Sequence, residues 1–363
     1  MPRRDLHKKP YDEGTQDKLD LYRDYLREWV YVFINSPYVD RLQVFDFFAG
    51  PGSDTAGKPG SPVITCNEIC ETLNQRVIKN KIRLYFNERD TNKFKNLTAF
   101  LDKQKQLLPH VEFFEKQCTF HDAFDQWGPN MKSGAANLLF LDQNGVDQIT
   151  EAIFRSIVAM PKTDLIFFIS SSVVNRFKTK HEIRKYVPIT DDDIKEMNIN
   201  NVHRLLANAY RSWIPVGIKY YLGSYSIKKG ANVYGLVFGS GHPRGIDKFL
   251  QVAWNHGGDA NFDIDGDGID PLQPSLFEED DIPRKIKVFE KELEKAILDR
   301  SLTTNKDIYI FALQNGMLAL HARYALNEMV KNKKLPKQDF HISYNAWKKP
   351  VVEVVKHLKG EGK

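Results

Sequence analysis

Five short apolar runs, at residues 43–48, 82–86, 111–114, 137–141 and 164–169, each lead into polar residues, and stretches of helical length separate them. No other feature limits the fold so tightly. Strands alternating with helices in this way build parallel sheets, because a parallel neighbour needs a crossover long enough for a helix. The carboxyl ends of such strands share one edge, where open α/β sheets take their ligands. The endings therefore form one candidate site. They are Asp46 with a glycine loop, Asn87-Glu88-Arg89, His121-Asp122-Ala123-Phe124, Asp142-Gln143-Asn144-Gly145 and Ser170-Ser171-Ser172.

The first ending carries the most chemistry. Residues 46–52 read Asp-Phe-Phe-Ala-Gly-Pro-Gly. Val44, Phe45, Phe47 and Phe48 suit a strand covered on both faces. Gly50 and Gly52 permit positive φ and leave the main chain bare for a ligand, so Asp46, Phe48, Ala49, Gly50, Pro51 and Gly52 are candidate cofactor contacts. The spacing is not that of a dinucleotide fingerprint, and no helix start follows directly to hold a pyrophosphate. Ser53 to Pro62 intervenes instead, read as a flexible stretch with two prolines and two glycines. A helix is expected to begin near Pro62, a good first-turn residue. This favours a ligand without phosphates, such as S-adenosylmethionine.

The later endings fit the same ligand. Glu88 would accept from both ribose hydroxyls; the alternative is a cap for the next helix. Asp122, beside Ala123, would meet the adenine amino group, with Phe124 or Trp127 stacking on the ring. Asp142 and Asn144 would accept hydrogen bonds from a target amine.

The rest of the chain sets limits. No apolar run approaches the ~20 residues of a membrane span, and the start, MPRRDLHKKP, lacks the apolar core of a signal peptide. The three cysteines, Cys66, Cys70 and Cys118, are too sparse for a disulfide framework and point to a reducing, cytoplasmic setting. Cys66 and Cys70 sit four apart on a helix and read as packing residues, with no metal site expected. Residues 15–35 form an amphipathic helix through Leu19, Tyr22, Leu26, Trp29, Val30 and Phe33. Residues 176–197 are highly charged and read either as a substrate lid or as a solvated loop. A helix is expected at 198–213, then two antiparallel strands at 216–225 and 232–239. His242 follows in a Gly-Ser-Gly-His-Pro turn, where it would act as a general base or cap the next helix. Asp263-Ile-Asp-Gly-Asp-Gly-Ile-Asp270 begins like an EF-hand loop, but Pro274 stands where the bidentate Glu belongs. An acidic linker over 257–283 accounts for it.

Charge then changes sign. Residues 283–363 hold 17 Lys or Arg against 9 Asp or Glu, a net of +8, while the remainder of the chain is at −3. Basic charge so confined favours an anionic partner. Helical patterns at 284–299, 305–315 and 317–332, then apolar stretches near 339–344 and 350–355, predict a winged helix-turn-helix over 284–363. Its third helix would turn Ala322, Ala325, Leu326 and Met329 inward and His321, Arg323, Asn327 and Lys331 outward. Arg and Asn read base edges, and Lys331, Lys334 and neighbouring lysines would meet phosphates.

DFFAGPG (46–52), FLDQNG (140–145), FFISSS (167–172) and above all YGLVFGSGHPRGIDKFLQVAW (234–254) resemble the three-Cys-motif partner protein family, over roughly residues 10 to 355. The resemblance implies a Rossmann-like class I methyltransferase domain over 1–256, an α/β fold with a seven-stranded, mostly parallel sheet and one antiparallel strand. A small carboxy-terminal winged helix-turn-helix follows. It also implies a partner with three clustered cysteines, similar to radical S-adenosylmethionine enzymes, and a setting compatible with phage defence. By position it places Asp46, Gly50, Gly52, Glu88, Asp122 and Asp142 at the cofactor. One departure stands out. Amino-directed nucleic-acid methyltransferases carry Pro-Pro and an aromatic after the fourth strand, whereas this chain has Gln143-Asn144-Gly145. No cysteine follows a proline, which argues against cytosine-5 chemistry. The expectation is methyl transfer on nucleic acid; the alternative is a non-catalytic adaptor that binds cofactor or nucleic acid for the partner.

Overall fold

The structure, a computed structural model, describes residues 10–132, 134–143, 148–169, 171–179, 186–197, 202–229, 232–256 and 284–354. Asn144, the segment 180–185 with His181, the hairpin tip 230–231 and the acidic stretch 257–283 lie outside these residues. The chain divides into two units, 1–262 and 263–363.

In the first unit the apolar runs become strands of one sheet. They are β1 (Arg41–Asp46), β2 (Lys81–Asn87), β3 (Val111–Lys116), β4 (Ala135–Leu141), β5 (Thr163–Ile169), β6 (Tyr221–Lys229) and β7 (Asn232–Ser240). Their spatial order is β3-β2-β1-β4-β5-β7-β6. Strands β1 to β5 pair parallel, and β7 enters antiparallel between β5 and β6. This order, with its single reversed strand, is the Rossmann-like class I methyltransferase fold.

Side chains alternate across the pleat, so each central strand feeds two cores. Phe45, Tyr85, Leu139 and Phe167 face one layer, packed with α4 (Phe120–Trp127), α5 (Glu151–Ala159) and α8 (Val202–Arg211). The opposite face meets α1 (Glu13–Phe33), where the Tyr22 ring lies 4.1 Å from that of Phe140. Between α1 and α2 (Ser61–Gln75) the buried Tyr22 hydroxyl and Thr65 Oγ1 share a 2.7 Å hydrogen bond. Further α-helices among the described residues of this unit are α3 (Thr91–Leu107), α6 (Ser171–Phe177), α7 (Asp191–Glu196) and α9 (Pro243–Asn255).

Two local expectations change. Strand β6 starts at Tyr221, not at 216, because Pro215 cannot donate to a ladder and Gly217 turns the chain at φ 87°. The stretch Ser53 to Pro62 is an ordered loop rather than a flexible one. Asp54 Oδ1 accepts from the Ala56 and Lys58 amides, both at 2.8 Å, and Oδ2 accepts from Tyr11 N at 2.6 Å. Burial alone would raise the Asp54 carboxyl; the donors from Tyr11, Lys58 and Ala56 outweigh it and hold it below its ordinary value.

The second unit packs α10 (Arg284–Leu298), α11 (Asn305–Gln314) and α12 (Ala319–Lys331) around Phe289, Leu293, Leu313 and Leu326. Gly316, at φ 72°, breaks the chain between the last two. The wing differs from expectation. No hairpin joins 339–344 to 350–355 among the described residues. Instead Glu353 bridges Thr304, and Asn305 uses its side chain as a strand would. It donates to His341 O at 3.3 Å and accepts from Val352 N at 2.9 Å. A short helix, α13 (Tyr344–Trp347), occupies the space between.

Candidate functional site

A cavity of about 210 Å³ opens at the carboxyl edge of the sheet. Phe47, Phe48 and Ala49 come from beyond β1, Asn87 from the end of β2 with Glu88 and Arg89 beyond it, Cys118, Thr119 and Phe120 from beyond β3, and Asp142 from beyond β4. Tyr11, just before α1, and Thr15 and Lys18 of its first turns close the other side. The convergence follows from the parallel register: Asp46 pairs with Phe86 on one side and Phe140 on the other, so these chains leave the sheet at one level.

Backbone and carboxylate stitch the turns together. Gly50 takes φ 65° and donates its amide to Glu88 Oε2 at 2.9 Å, while Glu88 Oε1 accepts from Asp90 N at 2.7 Å. A carboxylate has lone pairs for more than these two donors, so Glu88 keeps acceptor capacity towards the cavity that it lines. Asn87, only 2% exposed, ties three loops: its amide donates to Phe47 O and Cys118 O, both at 3.2 Å, and its Oδ1 accepts from Cys118 N at 3.3 Å. Gly52, at φ 96°, faces Phe100 and accepts from Gly60 N at 2.7 Å. A Cβ on Gly60 would stand 2.8 Å from Gly52 O, so the loop closes only on a glycine there.

Asp46 is fully buried beneath this floor. Its Oδ1 accepts from Phe48 N at 3.2 Å, and Oδ2 has no partner of hydrogen-bond geometry. Burial pushes its carboxyl up to about 7; the nearby Ser61 side chain and the Phe48 amide pull the other way, and Asp142 and Glu88 add to the rise. Opposite, Lys18 of α1 pairs with Asp142, and its Nζ lies 5.2 Å from the Phe168 ring centroid. The Lys18 side chain is 13% exposed. Tyr11 is raised above its ordinary range by burial first, then by Asp54, Asp142 and Asp46.

The cavity thus gathers Phe48, Ala49, Glu88 and Asp142 from the expected residues, with Asp46 directly below. Gly50, Pro51 and Gly52 shape the loop without lining the cavity. Asp122 is exposed and closes the cap of α4, accepting from Thr119 Oγ1 at 2.6 Å, and Ala123 is fully buried behind it. The stacking expected of Phe124 and Trp127 is corrected. Neither lines the cavity; both pack against Phe47, with Trp127 also edge-on to Tyr85. Among the rings that do line it, Phe48 and Phe120 stack at 5.4 Å and 24°. Asn144 lies outside the described residues.

Of the two readings of His242, the structure shows the cap. This residue follows Ser240, which pairs with Asp164 at the start of β5, so it stands at the amino edge of the sheet. There it caps α9, its Nδ1 accepting from Arg244 N at 3.1 Å. In the second unit Arg323, Asn327 and Lys331 are exposed on α12, with Lys331 paired to Glu328 at 2.5 Å. Lys334 pairs with Glu294 of α10. His321, expected outside, is 8% exposed, and its Nδ1 accepts from Leu318 N at 3.1 Å at the start of the helix. Among the described residues no three His, Cys, Asp or Glu side chains stand together as a metal site, and no helix is long and apolar enough to cross a membrane.

Sequence reasoning missed Lys18, Tyr11 and Phe120. Lys18 carried no signal, since its partner lies 124 residues away. Phe120 was within reach, being the aromatic nearest the end of β3.

A family described as the GMT-like wHTH domain matches residues 263–339. No curated protein sequence matches the chain. Among solved structures, spermidine synthase from Thermotoga maritima is 11% identical, with TM-score 0.32, over 67% of this chain and 65% of its own. The O-methyltransferase TomG from Streptomyces achromogenes, solved with SAM, is 11% identical, with TM-score 0.33, over 63% of this chain and 90% of its own. A SAM-dependent methyltransferase from Agrobacterium tumefaciens is 7% identical, with TM-score 0.32, over 61% of this chain and 60% of its own. The chain therefore spans less than two thirds of the synthase and of the Agrobacterium protein. The fold assignment rests on strand order, not on these likenesses. A methyltransferase-like Rossmann unit followed by a winged helix is the class of protein so defined.

Proposed function

We propose that the first unit binds S-adenosylmethionine in this cavity and that the protein transfers methyl groups on nucleic acid held by its winged helix. One observation carries the reading. A single cavity joins a ribose-type acceptor (Glu88) and an aromatic shelf (Phe48 and Phe120), with the buried carboxylate of Asp46 beneath. That set suits an adenosine with a cationic amino-acid tail. Bound there, S-adenosylmethionine would supply an electrophilic methyl group. The chain's own part is to orient it: Glu88 takes the ribose hydroxyls, the shelf takes the base, and Asp142 faces the target. Arg323, Asn327, Lys331 and Lys334 would touch nucleic acid. The three-Cys-motif partner and the cytoplasmic setting belong to the same proposal.

Calorimetry with S-adenosylmethionine and S-adenosylhomocysteine tests the cofactor; no heat of binding for either ends the enzyme reading. Radiolabelled transfer to total DNA, total RNA and the co-expressed partner tests the reaction. Asp142→Ala is expected to abolish transfer while cofactor binding largely persists.

The second reading, a non-catalytic adaptor, draws on one observation. The Asp142 carboxylate is already paired with Lys18, and the residue after it, Gln143, is buried rather than an aromatic facing the site. Co-purification with the three-Cys partner and no transfer to any acceptor would favour the adaptor.

A further inference from the structure

We propose that Lys18 reads the α-carboxylate of the ligand's amino-acid tail and so makes the pocket selective for the intact tail. This rests on the cofactor reading above and deepens it.

Three observations place Lys18 there. First, geometry sets the span. Glu88 follows β2 and Asp142 follows β4, with β1 between them in the sheet. Neighbouring strands lie about 4.8 Å apart, so the two acids flank a gap of roughly 10 Å. A nucleoside whose ribose meets Glu88 sends its 5′ tail across Phe48 and Ala49 towards the β4 side, where Lys18 stands. Second, the charges are sorted. The other basic side chains lining the cavity, Arg89 and Lys93, belong to the β2 side beside Glu88. On the tail side Lys18 pairs with Asp142. An ammonium beside a carboxylate suits a zwitterion, whose carboxylate and ammonium each find an opposite charge. It does not suit a polyphosphate, which that acid would repel.

Third, the ammonium has capacity to spare. Lys carries three N–H donors, and Asp142 is the partner found for Lys18 besides the Phe168 ring. It can hold Asp142 and a ligand carboxylate together. In that arrangement Lys18 also fixes the orientation of Asp142 and acts on any transfer as a positioning residue. The competing account is a latch that merely joins α1 to β4.

Calorimetry with S-adenosylmethionine, its decarboxylated form and 5′-methylthioadenosine separates the two. The wild-type protein is expected to prefer S-adenosylmethionine over the decarboxylated form. Lys18→Gln should cut that preference by about ten- to a hundredfold, the scale of one charge-assisted hydrogen bond, and leave 5′-methylthioadenosine within about twofold. Lys18→Arg should keep most of the preference. Equal losses for all three ligands would show a latch, and an unchanged preference would remove Lys18 from recognition. Either result overturns this proposal while the cofactor reading stands. If the wild-type protein binds none of the three, both fall. Should Lys18→Gln fail to fold, Lys18→Gln with Asp142→Asn removes both partners of the pair and carries the same test.

Discussion

Two aspartates are buried at opposite edges of the same sheet, and the fold treats them differently. Asp164 is the second residue of β5, at the amino edge, 6% exposed, where Tyr25 donates its hydroxyl to Oδ2 at 2.7 Å. Asp46 closes β1 at the carboxyl edge, fully buried, with Oδ2 unpartnered. Burial raises both, Asp164 to about 6 and Asp46 to about 7; Ser240 and Tyr25 oppose the rise at Asp164, and Ser61 and the Phe48 amide oppose it less fully at Asp46. A buried carboxylate without partners costs free energy. At the amino edge the protein offsets more of that cost with its own hydroxyls. At the carboxyl edge it leaves part of it standing, as expected where a ligand supplies the missing charge.

Asp164→Ala should break the satisfied end most severely. It would leave the Tyr25 hydroxyl, buried with its aspartate, without its acceptor. A stability loss of about 3 kcal/mol is expected from urea unfolding, with S-adenosylmethionine affinity unchanged. A loss near zero, or a parallel fall in affinity, would erase the contrast between the two edges.

Asp46→Asn should do the reverse. S-adenosylmethionine affinity is expected to fall about tenfold, roughly 1.4 kcal/mol, while the folded state is no less stable at pH 8. The sign follows from linkage. An acid whose folded value lies above its unfolded value binds protons on folding, so stability falls as pH rises from about 4 towards about 7. Replacing Asp46 removes that fall. The variant's advantage over wild type should therefore grow with pH up to about 7 and then level off. Chemical unfolding across pH 5 to 8 checks it, and an advantage that shrinks with pH would contradict the assignment.

The two edges also differ in how much the sequence discloses. The strands of the parallel core were legible because apolar runs of that length between helical stretches leave few alternatives. The glycine loop and Glu88 were legible because short-range chemistry fixes them. The ordered loop over 53–62 was not: proline and glycine content suggests flexibility, whereas Asp54 gathers the Ala56 and Lys58 amides and ties the loop to Tyr11 N, 43 residues away. The aromatic shelf failed for a related reason. Phe120, Phe124 and Trp127 share one helical face, and periodicity cannot say that the first turn reaches the cavity while the next ones sink into the core. The Lys18–Asp142 pair and the Asn305 side chain that joins His341 to Val352 are tertiary facts with no local signal.

Phe48→Ala tests the shelf itself. The ring is half-buried, so its removal disturbs the core less than removal of Phe120 would. Stacking with a base contributes on the order of 1 kcal/mol. Both S-adenosylmethionine and 5′-methylthioadenosine should weaken by about fivefold together, because they share the adenine. A loss confined to one of them would place the base elsewhere.

The smallest expected effect lies at His242, and it tests the separation of the edges most directly. Ser240 pairs with Asp164 and Gly235 with Ile169, so five residues of strand, roughly 17 Å, divide His242 from the level of the ligand loops. A general base at that distance cannot reach a proton on a substrate held beside Asp142. What His242 does is accept the Arg244 amide at the start of α9, where a cap contributes about 1 kcal/mol or less. His242→Ala should therefore lower the unfolding midpoint slightly and leave cofactor affinity, methyl transfer and the pH profile of transfer as they were. A changed pH profile in that variant would mean that chemistry reaches the amino edge, and the division of labour between the two buried aspartates would have to be abandoned.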